Sequence, residues 1–344
     1  MTRELYKRLN EALNNNRNVY MVTIVRCQDD NYVGKKFLKI DEEIIIEDKE
    51  NEEFYNSLIS KIKFNDLRNI VKVGDNIEII IENIISKPNL IICGGGHISF
   101  ELASIAKMLE FNITVIDDRE EFANRERFNC VDDIICDSFD NALDNIKFNR
   151  NSYFVVVTRG HRDDQECIEK ILKNEFSYVG MIGSKAKVAS CISQLLEKGY
   201  TKEEINRINA PIGISIGAKT PAEIAVSIMA QIIQEKNSIN ISNIDEEILK
   251  EIIFNKDDKV LVSILEKRGS SPRGVDAKML IKNDNSFIGT IGGGIVENVA
   301  YKKAIEVLKS KKSYVEIYDL SNSKAAKLGM ACGGTIKVLF EYIS

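Results

Sequence analysis

Three short clusters towards the end of the sequence combine the residue types that hold anions and soft metals. Gly269-Ser270-Ser271-Pro272-Arg273 puts two hydroxyls, open amides and a guanidinium into five residues, which makes an anion cradle. Gly289-Thr290-Ile291-Gly292-Gly293-Gly294-Ile295-Val296-Glu297 opens a helix expected to end near Leu308. Its three glycines expose amides at the positive end of the helix dipole, which suits a phosphate. Gly329-Met330-Ala331-Cys332-Gly333-Gly334 sets one thiol among residues small enough for a bulky ligand to reach backbone and sulfur together. A thiolate there suits a thiophilic metal centre.

Each cluster has a plainer reading. A cysteine before two glycines is most often a small core residue beside a turn, and a glycine triplet is most often backbone punctuation. Their joint absence from a sister segment weighs against that. Val260 to Leu265 parallels Tyr20 to Val25, and Lys278-Met279-Leu280-Ile281 parallels Lys36-Phe37-Leu38-Lys39. The run Gly333 to Ile343 parallels Gly74 to Ile84 without a gap, which puts Val73 opposite Cys332. The early copy lacks all three clusters, so if one copy binds, it is the late one.

A further chemistry-bearing stretch lies between the copies. An apolar run, Leu90 to Cys93, enters the turn Gly94-Gly95-Gly96-His97, and a helical pattern from Ile98 to Leu109 leaves it. Strand, glycine turn and helix open a nucleotide-binding βαβ unit. The fingerprint has Gly94 and Gly96, with Ser99 in place of the third glycine. Asp117 ends the next strand, where an acid usually grips a ribose hydroxyl. His97 at the helix start faces a phosphate or merely caps the turn. The strand Tyr153 to Thr158 runs into Arg159-Gly160-His161, with Arg162 close by, and Gly183-Ser184-Lys185 follows the strand Tyr178 to Ile182. Taken singly, each histidine reads best as a hydrogen-bonded turn residue.

The elements that must position these residues follow from periodicity. Leu5, Leu9 and Leu13 predict an opening helix, Phe54 to Ile62 a second, and Asp163 to Asn174 one in the middle. Thr201 with Glu204, and Thr220 with Glu223, are capping boxes, and Pro221 takes the first helical position of the second. Strands alternating with helices predict a parallel sheet covered on both faces. The expected organisation is an α/β chain with a Rossmann-like parallel-sheet domain, residues 88–236, flanked by two smaller α+β domains, 1–87 and 245–344, that are diverged copies of each other. Residues 237–244 are the expected linker.

Composition narrows the function classes. The 344 residues carry a net charge of −5, which argues against a nucleic-acid footprint. Seven cysteines without C-x-x-C spacing read as reduced thiols of a cytoplasmic protein. Two histidines exclude a His-rich metal site. No window resembles a signal peptide or a membrane span.

Together the motifs resemble the XdhC/CoxI family, the xanthine dehydrogenase accessory proteins. The middle segment does so through Gly94-Gly95-Gly96-His97, Asp117-Asp118-Arg119, Thr158-Arg159-Gly160-His161 with Asp164, Gly180-Met181-Ile182-Gly183-Ser184-Lys185, Ala210-Pro211-Ile212-Gly213 and Thr220-Pro221-Ala222-Glu223. The late copy does so through the three clusters above together with Ala277-Lys278-Met279. The resemblance covers about residues 88–344. It implies a maturation factor without turnover of its own, which binds molybdenum cofactor (molybdopterin), protects it during sulfuration, and inserts it into an apo molybdenum hydroxylase of the xanthine dehydrogenase type. Implied partners are a cysteine desulfurase or other sulfur donor and a second copy of the chain as a homodimer. The cofactor-binding set is Ser270, Ser271, Arg273, Gly292, Gly293, Gly294, Glu297, Cys332, Gly333 and Gly334, with Cys332 as the molybdenum contact. The set for NAD(P) or another nucleotide is Gly94, Gly96, His97, Asp117, Arg119, Arg159, His161, Ser184 and Lys185. The usual family order puts the Cys-bearing domain first, whereas here it is last. Asp276 stands where the family usually has glycine, unfavourably near an anionic phosphate. The rival readings are an NAD(P)-dependent oxidoreductase using His97 or His161, and a scaffold that holds only a partner.

Overall fold

The computed structural model describes the chain except for residues 1, 16, 47, 65–69, 239–241, 270–276 and 320–333. The chain forms two compact units. One joins Met1–Ile85 with Asn240–Ser344, and the other is Ser86–Ile239.

The first segment runs α1 (Thr2–Asn14), β1 (Val19–Arg26), β2 (Lys36–Ile40), β3 (Glu43–Ile46), α2 (Glu52–Ile59), β4 (Ile70–Val73) and β5 (Ile77–Ile84). The middle segment runs β6 (Asn89–Cys93), α3 (His97–Met108), β7 (Asn112–Asp117), β8 (Asp133–Cys136), α4 (Phe139–Asn145), β9 (Ser152–Val156), α5 (His161–Leu172), β10 (Tyr178–Met181), α6 (Lys185–Glu197), α7 (Lys202–Ile205), β11 (Ile208–Asn209) and α8 (Pro221–Ser238). The last segment runs α9 (Glu246–Phe254), β12 (Lys259–Gly269), β13 (Lys278–Lys282), β14 (Phe287–Gly289), α10 (Gly294–Ser310), β15 (Tyr314–Asp319) and β16 (Gly334–Ile343).

The duplication read from the sequence has its counterpart in topology. The first sheet has the order β3-β2-β1-β5-β4 and the last β14-β13-β12-β16-β15, both antiparallel. Register agrees residue by residue. Thr23 lies between Lys36 and Ile80, and Ser263 lies between Lys278 and Leu339. Even the ladder irregularity recurs, between Ile24 and Arg26 and between Ile264 and Glu266.

The copies pack as a pseudo-two-fold pair within one unit. The buried faces of α1 (Leu5, Leu9, Leu13) and α9 (Ile248, Leu249, Ile252) share one core with Met21, Leu38 and Ile84 and with their counterparts Leu261, Leu280 and Ile343. A smaller cluster unites Val25 with Leu265 and Ile80 with Leu339. Two buried ion pairs cross between the copies reciprocally: Lys36–Glu341 at 2.7 Å and Lys278–Glu82 at 2.8 Å. Glu78 and Lys337, which occupy one and the same alignment position, pair at 2.8 Å. A position that contacts its own counterpart lies on the pseudo-two-fold.

The middle unit carries a six-stranded parallel sheet, β8-β7-β6-β9-β10-β11. Numbered within the unit this is 3-2-1-4-5-6, the doubly wound Rossmann order. Its central strands β6, β9 and β10 are almost wholly buried because both faces are covered, one by α3 and α8 and the other by α4, α5 and α6. Both expected capping boxes form: Thr201 and Glu204 bond reciprocally, as do Thr220 and Glu223. The helix expected over Phe54–Ile62 spans Glu52–Ile59 instead. The expected linker is partly structured, since α8 runs to Ser238 and Ser242 is fully buried in a parallel bridge to Ile84. Among the described residues, no helix is long and apolar enough to cross a membrane.

Lys36→Met should destabilise the chain by about 3–5 kcal/mol, because it strands the buried Glu341 carboxylate. The double variant Lys36→Met/Glu341→Leu should regain most of that loss. Urea unfolding of the three proteins at neutral pH checks it.

Candidate functional site

In the last segment, β12 and β16 pair as far as Gly269 and Gly334, the described residues that adjoin the first and third clusters in the sequence. Asp319 of β15 faces Thr335, so the long connection into β16 also starts there. The Thr290 amide donates to the Lys278 carbonyl at 3.1 Å, which tethers the glycine triplet to the start of β13 at that end. Ser270, Ser271, Arg273, Asp276, Cys332 and Gly333 themselves lie outside the described residues.

The structure gives the triplet a chemistry that its spacing does not specify. Gly292, Gly293 and Gly294 have φ of 120°, 70° and 69°, in the left-handed region that disfavours any side chain. The carboxylate of Glu297 accepts from the Ile291 and Gly293 amides, each at 3.1 Å, and from the Thr290 hydroxyl. The Gly292 amide donates to Thr290 Oγ1 at 3.1 Å. Two of the three glycine amides expected to meet a phosphate therefore serve the turn itself, and Glu297 clamps that turn from within. The Gly294 amide heads α10. Nothing lies within 4 Å of a Cβ built on Gly293 or Gly294, so the turn faces open space. Lys278, part of the motif that resembles the family, is committed to its ion pair with Glu82.

In the middle unit, the Rossmann order reverses between β6 and β9, and ligands bind in such sheets at the carboxyl ends flanking that point. Gly94 (φ 114°) packs so tightly on the β9 exit that a Cβ would sit 2.5 Å from the Val157 carbonyl oxygen. Gly96 is the N-cap of α3 and a Cβ there would meet nothing within 4 Å. Ser99 is fully buried and its hydroxyl donates to the Gly94 carbonyl, so it fills the third-glycine position from inside. His97 is exposed at the start of α3.

Asp117 is 1% exposed. Its oxygens accept from the Gly95 amide at 2.7 Å and from Arg119 Nε and Nη2 at 2.8 and 3.0 Å. Burial alone would raise this carboxyl, but Arg119 and the Gly95 amide outweigh it and hold it below its ordinary value. Asp117 thus pins the glycine turn and orients Arg119, whose guanidinium stacks 3.7 Å from the Phe122 ring. At the crevice rim, Arg159 pairs with Asp118 at 2.9 Å, which links the β9 exit to the β7 exit. His161 opens α5, and its side chain lies outside the described ones. Ser184 caps α6 by accepting from the Lys187 amide at 3.3 Å, and Lys185 is exposed on its first turn. Ser184 and Lys185 follow β10, one strand further from the reversal than Arg159.

Three positioning residues fall outside the binding sets read from the sequence. Arg127 donates to the Gly95 carbonyl at 3.0 Å. Asp164, 1% exposed, accepts from the Thr158 hydroxyl at 2.6 Å and forms an ion pair with Lys187. That chain ties the β9 exit, α5 and α6 together. Arg127 and Lys187 have no local sequence signal, because each acts across a loop. Among the described residues, no cluster of three His, Cys, Asp or Glu side chains is placed to hold a metal.

The depressed Asp117 carboxyl sets a pH dependence. Its folded value lies below the ordinary 3.8, so its contribution is complete above about pH 4 and is lost as pH falls through the folded value. Urea midpoints measured from pH 6 to pH 3 should fall more steeply for the parent than for Asp117→Asn. Glu297→Ala leaves two amides and a hydroxyl without their acceptor. It should cost about 1–3 kcal/mol and speed amide exchange at Ile291 and Gly293.

Comparisons with known proteins agree with this geometry. Residues 90–232 match the XdhC Rossmann domain, and residues 255–319 match the XdhC and CoxI family. The chain is 34% identical over 153 residues to the uncharacterized protein YqeB of Escherichia coli (strain K12), which is 44% of this chain and 28% of that one. It is 30% identical over 159 residues to a probable xanthine dehydrogenase subunit of Bacillus subtilis (strain 168), 46% of each chain. The matches thus span less than half the length of these curated relatives. A crystal structure of a xanthine dehydrogenase from Bacillus halodurans superposes with a TM-score of 0.51 at 26% identity, covering 67% of this chain and 66% of that one. With two family domains matched in sequence and a Rossmann sheet in the doubly wound order, the chain belongs to the XdhC and CoxI family.

Proposed function

We propose that this protein is an accessory factor for a xanthine dehydrogenase-type molybdenum hydroxylase, with molybdenum cofactor as its cargo. One observation carries the reading. The described ends of β12 and β16, Gly269 and Gly334, pair with each other, and in the sequence they adjoin the clusters suited to a pterin phosphate and a thiophilic metal. In this reading Ser270, Ser271, Arg273 and the head of α10 receive the phosphate. Cys332 meets the metal or its sulfido ligand, flanked by Gly333 and Gly334. Glu297 and Thr290 hold the glycine turn open and do not touch the cargo. The factor shields the cofactor while a sulfur donor exchanges an oxo for a sulfido ligand, and then delivers it to the apo hydroxylase.

The middle unit in this reading binds a nucleotide or a phosphate-bearing appendage of the cargo at Gly96, His97 and the N-terminus of α3. Support comes from the doubly wound order and from the open space above Gly96. A ribose would have to be recognised by groups other than Asp117, whose oxygens already serve Gly95 and Arg119.

Protein purified from cofactor-producing cells should contain molybdenum and pterin near one each per chain, by elemental analysis and by pterin fluorescence after denaturation. Cys332→Ser should lower molybdenum retention while leaving the melting temperature unchanged. Absence of both molybdenum and pterin from the folded parent protein would refute the carrier role. Unchanged retention in Cys332→Ser would refute the role of that thiol.

A further inference from the structure

The pseudo-two-fold exposes a feature that lies outside the three clusters. The early copy carries no Gly-Ser-Ser-Pro-Arg cradle. A cleft of about 1190 Å³ opens beside the β1–β2 connection, the topological counterpart of the β12–β13 connection that carries the cradle. Its opposite wall is the turn between α10 and β15 of the late copy.

The cleft is basic. Arg26, Lys35, Lys311, Lys312 and Lys337 line it, against Asp30 and Glu78. Glu78 is already paired, with Lys337 at 2.8 Å and with Arg26 at 3.3 Å, and the Lys337 hydrogen bond above all holds its carboxyl below the ordinary value. Lys311 pairs with Asp258 at 2.8 Å, and its place just past the end of α10 also suits the helix dipole. Asp30 is exposed. Lys35 and Lys312 form no ion pair among the described residues.

The chain segments that carry these two lysines are held together by backbone packing. Gly34 (φ 84°) donates to the Ile24 carbonyl at 2.8 Å and lies against Ser313, so closely that a Cβ on Gly34 would be 2.7 Å from Ser313 Cβ. Lys35 and Lys312 are the chain neighbours of that contact. Lys35 and Lys312 line the cleft from its two walls, and an anion between two like charges turns their repulsion into two attractions. Val33, Val315 and Tyr314 supply an apolar wall in the same cleft.

We propose that this cleft is a second binding site, for a small phosphate monoester with an apolar or planar body, gripped by Lys35 and Lys312. It is independent of the cargo site and of the middle unit. The test is calorimetric titration of the full chain with phenyl phosphate and with inorganic phosphate, comparing the parent, Lys35→Ala/Lys312→Ala and, as a control for loss of surface charge, Lys147→Ala. Phenyl phosphate should bind the parent and Lys147→Ala alike, and at least about tenfold more weakly to the double lysine variant. Inorganic phosphate should need the same lysines and bind more weakly than the monoester. Circular dichroism should show the double variant folded, since neither side chain holds a hydrogen bond or ion pair among the described residues. Equal binding by the double variant, an equal loss in Lys147→Ala, or no binding to the parent would overturn the proposal. Inorganic phosphate binding as tightly as phenyl phosphate would overturn the monoester class.

Discussion

Two buried lysine–glutamate pairs, exchanged reciprocally between the copies of one small fold, are the constraint on which the larger unit rests. Lys36 reaches Glu341 and Lys278 reaches Glu82, with every one of the four side chains under 10% exposed. Charges so buried are tolerated only when paired, so neither copy can separate from the other without stranding one lysine and one carboxylate in apolar surroundings. The apolar contacts around them are less selective, because Leu, Ile and Val interchange across the pseudo-two-fold. The ion pairs therefore fix the relation between the copies, while hydrophobic burial supplies most of the driving force.

That arrangement explains how a degenerate copy is retained. The early copy has none of the cargo-type clusters, but it provides Glu82 for the motif lysine Lys278 and half of the core around α9. Its place in the structure is thus mechanical as well as historical. The same symmetry leaves a basic cleft on the early copy's side, lined by both copies.

In both units, glycine turns are stabilised by buried or half-buried acids acting on backbone amides. Glu297 clamps Gly292–Gly294, and Asp117 clamps Gly94–Gly96. A turn with several left-handed residues gains no ladder hydrogen bonds, and a carboxylate acceptor replaces them. Asp117 and Glu297, expected from spacing as ligand contacts, each accept hydrogen bonds from amides of their own turn.

Much of the fold was legible from short-range signals. The apolar strands β6, β7, β9 and β10, the helix starts at Thr201 and Thr220, and the gapless alignment of β5 with β16 all follow from patterns local to the chain. The glycine turns and their neighbours were legible as sites for the same reason. Weakly patterned elements were not. β15 has no fully buried residue, and α4 is only seven residues long. What only tertiary structure decided is the employment of charged side chains. Asp117, Glu297, Asp164 and Lys278 each face partners that a linear reading does not rank, some of them distant in sequence. Residue type and spacing determine which groups are available, and whether a carboxylate meets a ligand or a backbone amide depends on packing across elements, which the linear order does not carry.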